Sequence, residues 1–258
     1  MPRISLVIPA FNEEQFLPAL LDSVDVARAR YSRGQTEVEV IVANNCSTDR
    51  TSEIARSRGC VVADVDKPVI AASRNGGALA ATGDIVAFID ADCTIHPETF
   101  NVIEDTMSSQ KAVAGATGAR FDRSSLGIAA TTLLGEVLFF LANLDIGVVF
   151  CRRADWEAVG GYDENLKVAE DVEFLVALKQ LGKKRGQRFV RAKGARAKTS
   201  ARKFDTRGDW HYFTMGPPTA VFYLLLNRSA LQKQMGDSLI SEYWYDVRKA
   251  LPSSRGSE

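Results

Sequence analysis

The chain has 258 residues, 25% of them charged, and a formal net charge of +0, so the charge of the whole molecule does not attract a nucleic acid or another acidic partner. A hydrophobic content of 46% is enough for one large α/β domain or two small domains. The four cysteines are widely spaced and form no Cys-x-x-Cys pair, so the sequence supports neither a zinc site nor a redox pair.

Strand and helix patterns alternate through the first hundred residues. Strands are predicted at 4–9, 37–43, 60–65 and 84–90, and helices at 12–30, 49–57, 70–81 and from 97. This alternation predicts an α/β fold with a mostly parallel, Rossmann-like sheet and helices on both faces. In such a sheet, ligands bind beyond the carboxyl ends of the strands.

The pattern changes after residue 111. Strands are predicted at 112–121, 147–151 and 188–192, and helices at 126–144, 153–159 and 169–181, the last ending at Gly182. The apolar run 126–150 contains Glu136, Asn143 and Asp145, which are costly in hydrocarbon, and is therefore interpreted as a buried core helix and strand.

No proline-rich or serine-rich linker divides the chain. We therefore predict one domain with a nucleotide-sugar-binding half at 1–110, an acceptor-binding and catalytic half at 111–210, and a C-terminal helical extension at 211–258. The N-terminus leads directly into a strand, so a signal peptide is not expected. We expect a cytoplasmic protein, either free or peripheral at the inner face of the membrane.

The acidic motif Asp90-Ala91-Asp92 directly follows an apolar strand. Two carboxylates one residue apart can hold a hard divalent cation whose remaining ligands come from a diphosphate. The cation would act as a Lewis acid for the departing diphosphate. An Asp-x-Asp sequence alone is more typical of a solvated turn, but its position at the end of a buried strand favours a metal site.

The order and spacing of several motifs resemble the family-2 glycosyltransferases, which have the GT-A fold. The resemblance covers about residues 3–182. The motifs are VIPAFNEE at 7–14, STD at 47–49, ASRN-x-G at 72–77, TGD at 82–84, DAD at 90–92, GGYDE at 160–164 and ED at 170–171.

The resemblance implies an inverting enzyme that transfers a sugar from a nucleotide diphosphate to an acceptor hydroxyl with Mn²⁺ or Mg²⁺. It implies Asp92 as the metal ligand, with Asp90 as a second ligand or ribose contact, and Asp171 as the general base beside Glu170. The residues along the nucleotide would be Pro9, Ala10, Asn12, Glu13, Asn44, Asn45, Arg74, Asp90 and Ala91. Without the resemblance, the helix dipole explains acidic residues in a first helical turn.

The end of the second strand departs from the family pattern. The family usually has paired aspartates followed by glycine, whereas this chain has Asn44-Asn45-Cys46. Because an asparagine amide both accepts and donates, the base stays open between UDP-sugars, which are frequent in the family, and GDP-sugars. The asparagine pair can also be a structural turn.

The segment 183–207 holds eleven Lys or Arg residues and a single acidic residue, Asp205. It can be a solvated loop, a loop that closes over the diphosphate or an anionic acceptor, or a contact with an acidic membrane. Arg202 and Lys203 are the predicted diphosphate contacts. Aromatic residues are sparse within the segment, so no nucleic-acid partner is expected.

Of the two histidines, His96 is expected to cap a helix and His211 is a candidate third metal ligand. The predicted partners are a nucleotide sugar and a hydroxyl acceptor, which can be a saccharide, a lipid-linked molecule or a small metabolite. Aromatic stretches at 223–226 and 243–245 could contact a membrane or form a homodimer. A sugar-phosphate nucleotidyltransferase and a non-catalytic nucleotide-sugar-binding module are the alternative functions.

Overall fold

A computed structural model describes residues 2–166, 169–192, 194–210 and 213. Within these residues, seven strands form the main sheet in the order β3-β2-β1-β4-β8-β6-β9. They are β1 (Ile4–Ala10), β2 (Val38–Asn44), β3 (Val61–Asp64), β4 (Ile85–Phe88), β6 (Ala112–Ala116), β8 (Val149–Arg152) and β9 (Arg188–Arg191). Only β8 runs antiparallel to its neighbours, so the predicted mostly parallel sheet is confirmed.

A second, three-stranded sheet lies beside the main one. It consists of β5 (Cys93–Thr94), β10 (Ala197–Thr199) and β7 (Ala119–Phe121). The helices are α1 (Leu17–Arg30), α2 (Thr51–Ser57), α3 (Ile70–Leu79), α4 (Thr99–Ser108), α5 (Leu126–Ala142), α6 (Arg153–Val159), α7 (Glu170–Lys184) and α8 (Arg202–Arg207).

Helices cover both faces of the main sheet, as predicted. Alternate side chains of β1 point to opposite faces, and both sets are buried. Ile4 and Leu6 pack in a core with residues of α1 and α4. Val7 packs in the second core with residues of α3 and α7. This two-sided burial explains why β1 is apolar throughout rather than alternating with polar residues.

Three predicted boundaries were wrong for identifiable reasons. The first helix begins at Leu17 rather than at residue 12, because the intervening residues bond to the loop after β2. The predicted strand 112–121 is two strands in different sheets, separated by Gly118 with a φ of 80°. Gly182 lies inside α7, where a Cβ would come within 2.6 Å of the Val113 side chain, so the glycine permits close packing on β6.

The prediction that α5 is a buried core helix was also wrong. Gly127 and Ile128 are its buried residues, whereas several of its large apolar side chains face outward. Near the carboxyl end of α5, Phe139 and Ala142 are partly buried and pack against the second core. An apolar run predicts that a helix avoids water, but it does not determine what covers the helix.

Most of the described part of the basic segment forms β9, β10 and α8, so the loop interpretation does not hold there. The predicted edge strand at 188–192 is confirmed as β9 at the end of the main sheet. The predicted extension at 211–258, including His211, lies outside the described residues apart from Phe213. None of the helices in the described ranges is long and apolar enough to cross a membrane.

A buried carboxylate joins β1, α1 and α4. Glu104 accepts hydrogen bonds from Arg3 Nε and Tyr31 Oη, each at 3.0 Å, and its side chain is 10% exposed. Burial by itself would raise the pKa of Glu104, but these hydrogen bonds outweigh it and lower the pKa below its ordinary value. A lowered folded-state pKa contributes stability above the unfolded-state pKa, and this contribution is lost as the pH falls through the folded-state pKa.

Glu104→Gln is therefore expected to lower the free energy of unfolding by about 1.5–3 kcal/mol at pH 7, since it removes the buried charge that accepts from Arg3 and Tyr31, although Arg3 keeps its ion pair with Asp84. The difference from wild type should shrink below pH ~4 as the wild-type carboxyl is protonated. Urea unfolding at pH 7 and pH 3 measures both effects. The control is Glu157→Gln, which removes an exposed ion pair with Arg153 and should change stability by less than about 0.5 kcal/mol. Equal stability of Glu104→Gln and wild type at pH 7 would contradict the assignment.

Candidate functional site

The loops after β1 and β2 are joined by hydrogen bonds at the carboxyl edge of the sheet. Asn12 has a left-handed backbone with a φ of 55°. Its Oδ1 accepts from Thr48 N at 2.8 Å, and its N donates to Ser47 Oγ at 3.1 Å. Glu13 N donates to Thr51 Oγ1 at 2.8 Å. Asn12 thus holds the two loops together, and its contact with a nucleotide stays a prediction.

The two asparagines after β2 have different surroundings. Asn45 is buried, and its Nδ2 donates to the Lys67 carbonyl at 2.6 Å, as expected for a structural turn. Asn44 is half-buried, and its Nδ2 donates to Asp64 Oδ1 at 2.8 Å. Asp64 is opposite Asn44 in the register of β2 and β3. Asp64 was not among the residues predicted from the sequence, although its position near the end of a predicted strand was a usable signal.

Arg202 lies between two acidic residues from different loops. Its Nε is 2.9 Å from Asp92 Oδ2, and its two terminal nitrogens donate to the Glu13 carboxylate, both at 2.9 Å. The guanidinium lies 4.8 Å from the centroid of the Phe16 ring, a contact that the sequence did not predict. Burial opposes the positive charge of Arg202, but its hydrogen bonds to Glu13 and the charge of Asp92 raise its pKa. The structure thus brings Arg202 to the predicted metal ligand.

A second arginine, Arg74, is buried and connects the acidic motif to the start of α7. Arg74 Nη2 donates to Asp90 Oδ1 at 3.0 Å, and Nη1 donates to Glu170 Oε1 at 2.6 Å. Burial raises the pKa of the Glu170 carboxyl and the charge of Asp171 raises it further, while Arg74 opposes the rise. Arg74 also lies 5.2 Å from the centroid of the Tyr162 ring. Two motifs distant in sequence therefore form one charged cluster.

The motifs at 72–77 and 160–164 bind each other. Asn75 Oδ1 accepts from Tyr162 N at 2.8 Å, and Asn75 Nδ2 donates to Glu164 Oε1 at 3.0 Å. Gly161 has a φ of 69°, and a Cβ there would lie 2.6 Å from Asn75 Oδ1. The glycine is needed for this close approach, which holds Tyr162 beside the buried arginine.

The remaining predicted residues have the following positions. Ala10 ends β1 and its carbonyl accepts from Asn45 N at 2.8 Å, while Pro9 precedes it in the same buried strand. Ala91 is buried within the acidic motif. Lys203 follows Arg202 in α8 and is half-buried.

His96 lies two residues before Glu98, the N-cap of α4, so it does not cap the helix as expected; its Nδ1 accepts from Glu98 N at 3.1 Å and holds the turn that leads into α4. His211 lies outside the described residues, so its role as a third metal ligand stays a prediction.

The acidic motif fits a cation that arrives together with a diphosphate. Among the residues that the structure describes, no group of three or more His, Cys, Asp or Glu side chains could hold a metal by itself. Mg²⁺ is commonly bound by one or two carboxylates and completed by phosphate oxygens and water. Asp90 and Asp92 offer this donor set, and the Arg202 guanidinium beside Asp92 shows that the carboxylate is placed to receive positive charge.

A mostly parallel sheet with an Asp-x-Asp motif at the carboxyl edge defines the GT-A class of glycosyltransferase folds. The family model described as "Glycosyl transferase family 2" matches residues 5–147, and the chain belongs to this family. The structure of residues 1–349 of TarS from S. aureus in complex with UDP has a TM-score of 0.60 at 20% identity, covering 93% of this chain and 69% of that chain. These findings confirm the predicted family and fold.

Two further comparisons are also with glycosyltransferases. Glucosyl-3-phosphoglycerate synthase from Mycobacterium tuberculosis, solved with Mn²⁺, UDP and glucosyl-3-phosphoglycerate, has a TM-score of 0.55 at 19% identity, covering 81% of this chain and 76% of that chain. An uncharacterised glycosyltransferase of Mycobacterium tuberculosis is 35% identical over 89 residues, 34% of this chain and 36% of the relative. The chain thus spans about a third of the length of the first curated relatives that it matches.

Proposed function

We propose that this protein is an inverting glycosyltransferase that transfers a sugar from a nucleotide diphosphate to an acceptor hydroxyl with the help of a divalent metal. The observation that carries the proposal is the cluster in which Arg74 and Arg202 contact the carboxylates of Glu13, Asp90, Asp92 and Glu170. Family membership supports the transfer chemistry, because the match to residues 5–147 includes the acidic motif.

The residues of this cluster have distinct roles in the proposal. Asp92, with Asp90 in support, would hold Mn²⁺ or Mg²⁺, and the metal would supply positive charge against the departing diphosphate. Arg202 and Lys203 would add positive charge on the same side. Asp171, next to the anchored Glu170, would accept the proton of the acceptor hydroxyl. The hydroxyl oxygen forms the new bond to the anomeric carbon as the nucleotide diphosphate leaves from the opposite face.

The donor base would be bound near Asn44 and Asp64. The Asp64 carboxylate is half exposed and can accept a hydrogen bond from a base N–H, a task that the family assigns to an aspartate at the end of the second strand. Both uracil and guanine carry such an N–H group. UDP-sugars are the proposed donors, since UDP occupies the related TarS structure, and GDP-sugars are the alternative. A cytoplasmic location stays a prediction.

A thermal-shift and product screen tests the proposed function. UDP with Mn²⁺ at about 100 times its Kd should stabilise the protein by about 2.7 kcal/mol, and neither UDP nor Mn²⁺ alone should do so. With a UDP-sugar and an acceptor panel, the expected product beside the glycoside is free nucleoside diphosphate. Release of pyrophosphate from a sugar phosphate and a nucleoside triphosphate would identify a nucleotidyltransferase instead. Binding without any turnover would identify a binding module.

A further inference from the structure

The large apolar side chains that face outward are concentrated on α5. Of the ten such residues in the described chain, α5 supplies five, and we call these five the α5 stripe. They are Leu126, Leu133, Val137, Phe140 and Leu141. Single exposed apolar residues are common on protein surfaces, but a contiguous apolar patch indicates an interaction site.

The spacing of the α5 stripe places it along one side of the helix. Leu126 and Leu133 are seven residues, or two helical turns, apart, and Val137 follows one turn later, so the three lie above one another on the same side. The one charged side chain on α5, Glu136, is 3.1 Å from Arg196 and is thereby neutralised. Leu133 and Phe140 are 65% and 67% exposed. An apolar helix face that stays exposed over this length requires an apolar partner.

Long cationic side chains border the carboxyl-terminal half of the stripe, and carboxylates balance the charge of two of the three. The guanidinium of Arg191 lies 5.7 Å from the centroid of the Phe140 ring. Lys179 Nζ donates to the carbonyl of Ala142 at the end of the helix. Glu136 and Asp145 neutralise Arg196 and Arg191, which leaves Lys179 as the net positive charge of this group. Apolar side chains flanked by long cationic ones are typical of surfaces that insert into a bilayer while their cations reach the lipid phosphates.

A second copy of the chain is a weaker occupant of this surface. A helix of 17 residues is about 25 Å long, and the stripe presents five large apolar side chains along it on each copy. A stable interface takes an area supplied by roughly 20–30 residues on each side, so five residues a side fall well short of it. Insertion into a bilayer has no such minimum area, because each apolar side chain gains free energy independently.

The start of α5 is connected to the candidate active site. A Cβ on Gly127 would lie 2.5 Å from the carbonyl oxygen of Asp209, so α5 and the residues after α8 are in close contact. Arg123, just before α5, pairs with Asp205 of α8 at 2.7 Å. Since α8 also carries Arg202, which contacts Asp92, the stripe and the acidic motif are joined through one short helix.

We propose that the α5 stripe docks the protein on the surface of a phospholipid bilayer, with Leu133 and Phe140 inserted between the lipids. A consequence that rests on the proposed function is that the acceptor hydroxyl is carried on a lipid-anchored molecule and reaches the site from the membrane. The docking itself does not depend on glycosyl transfer and is tested without it.

Vesicle flotation of the full chain tests this proposal. The wild-type protein should float with phosphatidylcholine vesicles containing one quarter phosphatidylglycerol, and less with phosphatidylcholine alone. The double substitution Leu133→Glu with Phe140→Glu should reduce the bound fraction at least tenfold. The matched control is Leu79→Glu on α3, a leucine that is 76% exposed and distant in sequence from the stripe, which should float like wild type.

Circular dichroism and thermal unfolding confirm that each variant is folded, and Leu133→Ser with Phe140→Ser replaces the glutamates if they unfold the chain. Absence of wild-type flotation, or equal flotation of a folded stripe variant, would overturn the proposal. A wild-type dimer in light scattering that the stripe substitutions convert to monomer, without flotation, would assign the stripe to a second copy and also overturn it. Loss of glycosyl transfer with flotation intact would leave the docking supported and count against the proposed function alone.

Discussion

Asp92→Asn is expected to abolish metal-dependent binding of the donor nucleotide and to lower kcat/KM by at least about 10³-fold, which corresponds to about 4 kcal/mol of transition-state stabilisation. The substitution keeps the shape of the side chain but removes the negative charge that a hard cation requires. Titration calorimetry with UDP in the presence and absence of Mn²⁺ measures the binding effect independently of activity. In wild type, Mn²⁺ should strengthen UDP binding, whereas in Asp92→Asn it should not.

The control for this experiment is Asp84→Asn. Asp84 precedes the same strand at its amino end, is 75% exposed and pairs with Arg3, so its loss should leave nucleotide binding unchanged. Asp92→Asn also removes the charged partner of Arg202, and the guanidinium remains held by Glu13. The fold should therefore persist, which thermal unfolding verifies. A metal effect on UDP binding that survives in Asp92→Asn would contradict the role of Asp92 as ligand.

The sequence predicted those residues of the candidate site that directly follow an apolar strand. An apolar strand that ends in polar residues places those residues at one edge of a parallel sheet. This reasoning located the acidic motif and the loops after β1 and β2, and the structure brings Asp92, Asp90 and Glu13 into contact with two arginines. The sequence could not show that Asn45 is a buried turn residue and that Asn44 lies at the edge of the site. Both residues are asparagines, so their side chains offer the same hydrogen-bonding groups in either place.

The pairings between distant residues could not be derived from the sequence. Arg202 is one of eleven cations in the segment 183–207, and nothing in their spacing distinguishes the one that contacts Asp92. The small sheet determines which cation reaches Asp92. In this sheet β10 pairs with β5, which directly follows the acidic motif, and α8 follows β10 and therefore lies beside the motif. The exposure of α5 was missed for a related reason, since an apolar pattern is the same for a helix covered by protein and one covered by lipid.

Asp171→Asn is expected to retain donor binding and to lose glycosyl transfer by about 10²- to 10⁴-fold, the usual effect of removing a general base. The position of the residue supports this role. Asp171 is in the first turn of α7, directly after Glu170, whose carboxylate is fixed to Arg74 at 2.6 Å. An asparagine keeps the size of the side chain and its capacity to accept from Val172 N, but it cannot take up the proton of the acceptor.

The competing explanation is that acidic residues in the first turn only compensate the helix dipole, and Glu173→Gln separates the two roles. Glu173 belongs to the same first turn, so the dipole effect on stability should be similar in both variants, about 0.3–1 kcal/mol. Only Asp171→Asn should impair transfer, and it should do so with an unchanged Kd for UDP in the presence of Mn²⁺. If both variants transfer sugar at the wild-type rate, α7 does not supply the base at Asp171. If both lose transfer equally, the charge of the helix start rather than one proton acceptor governs the reaction.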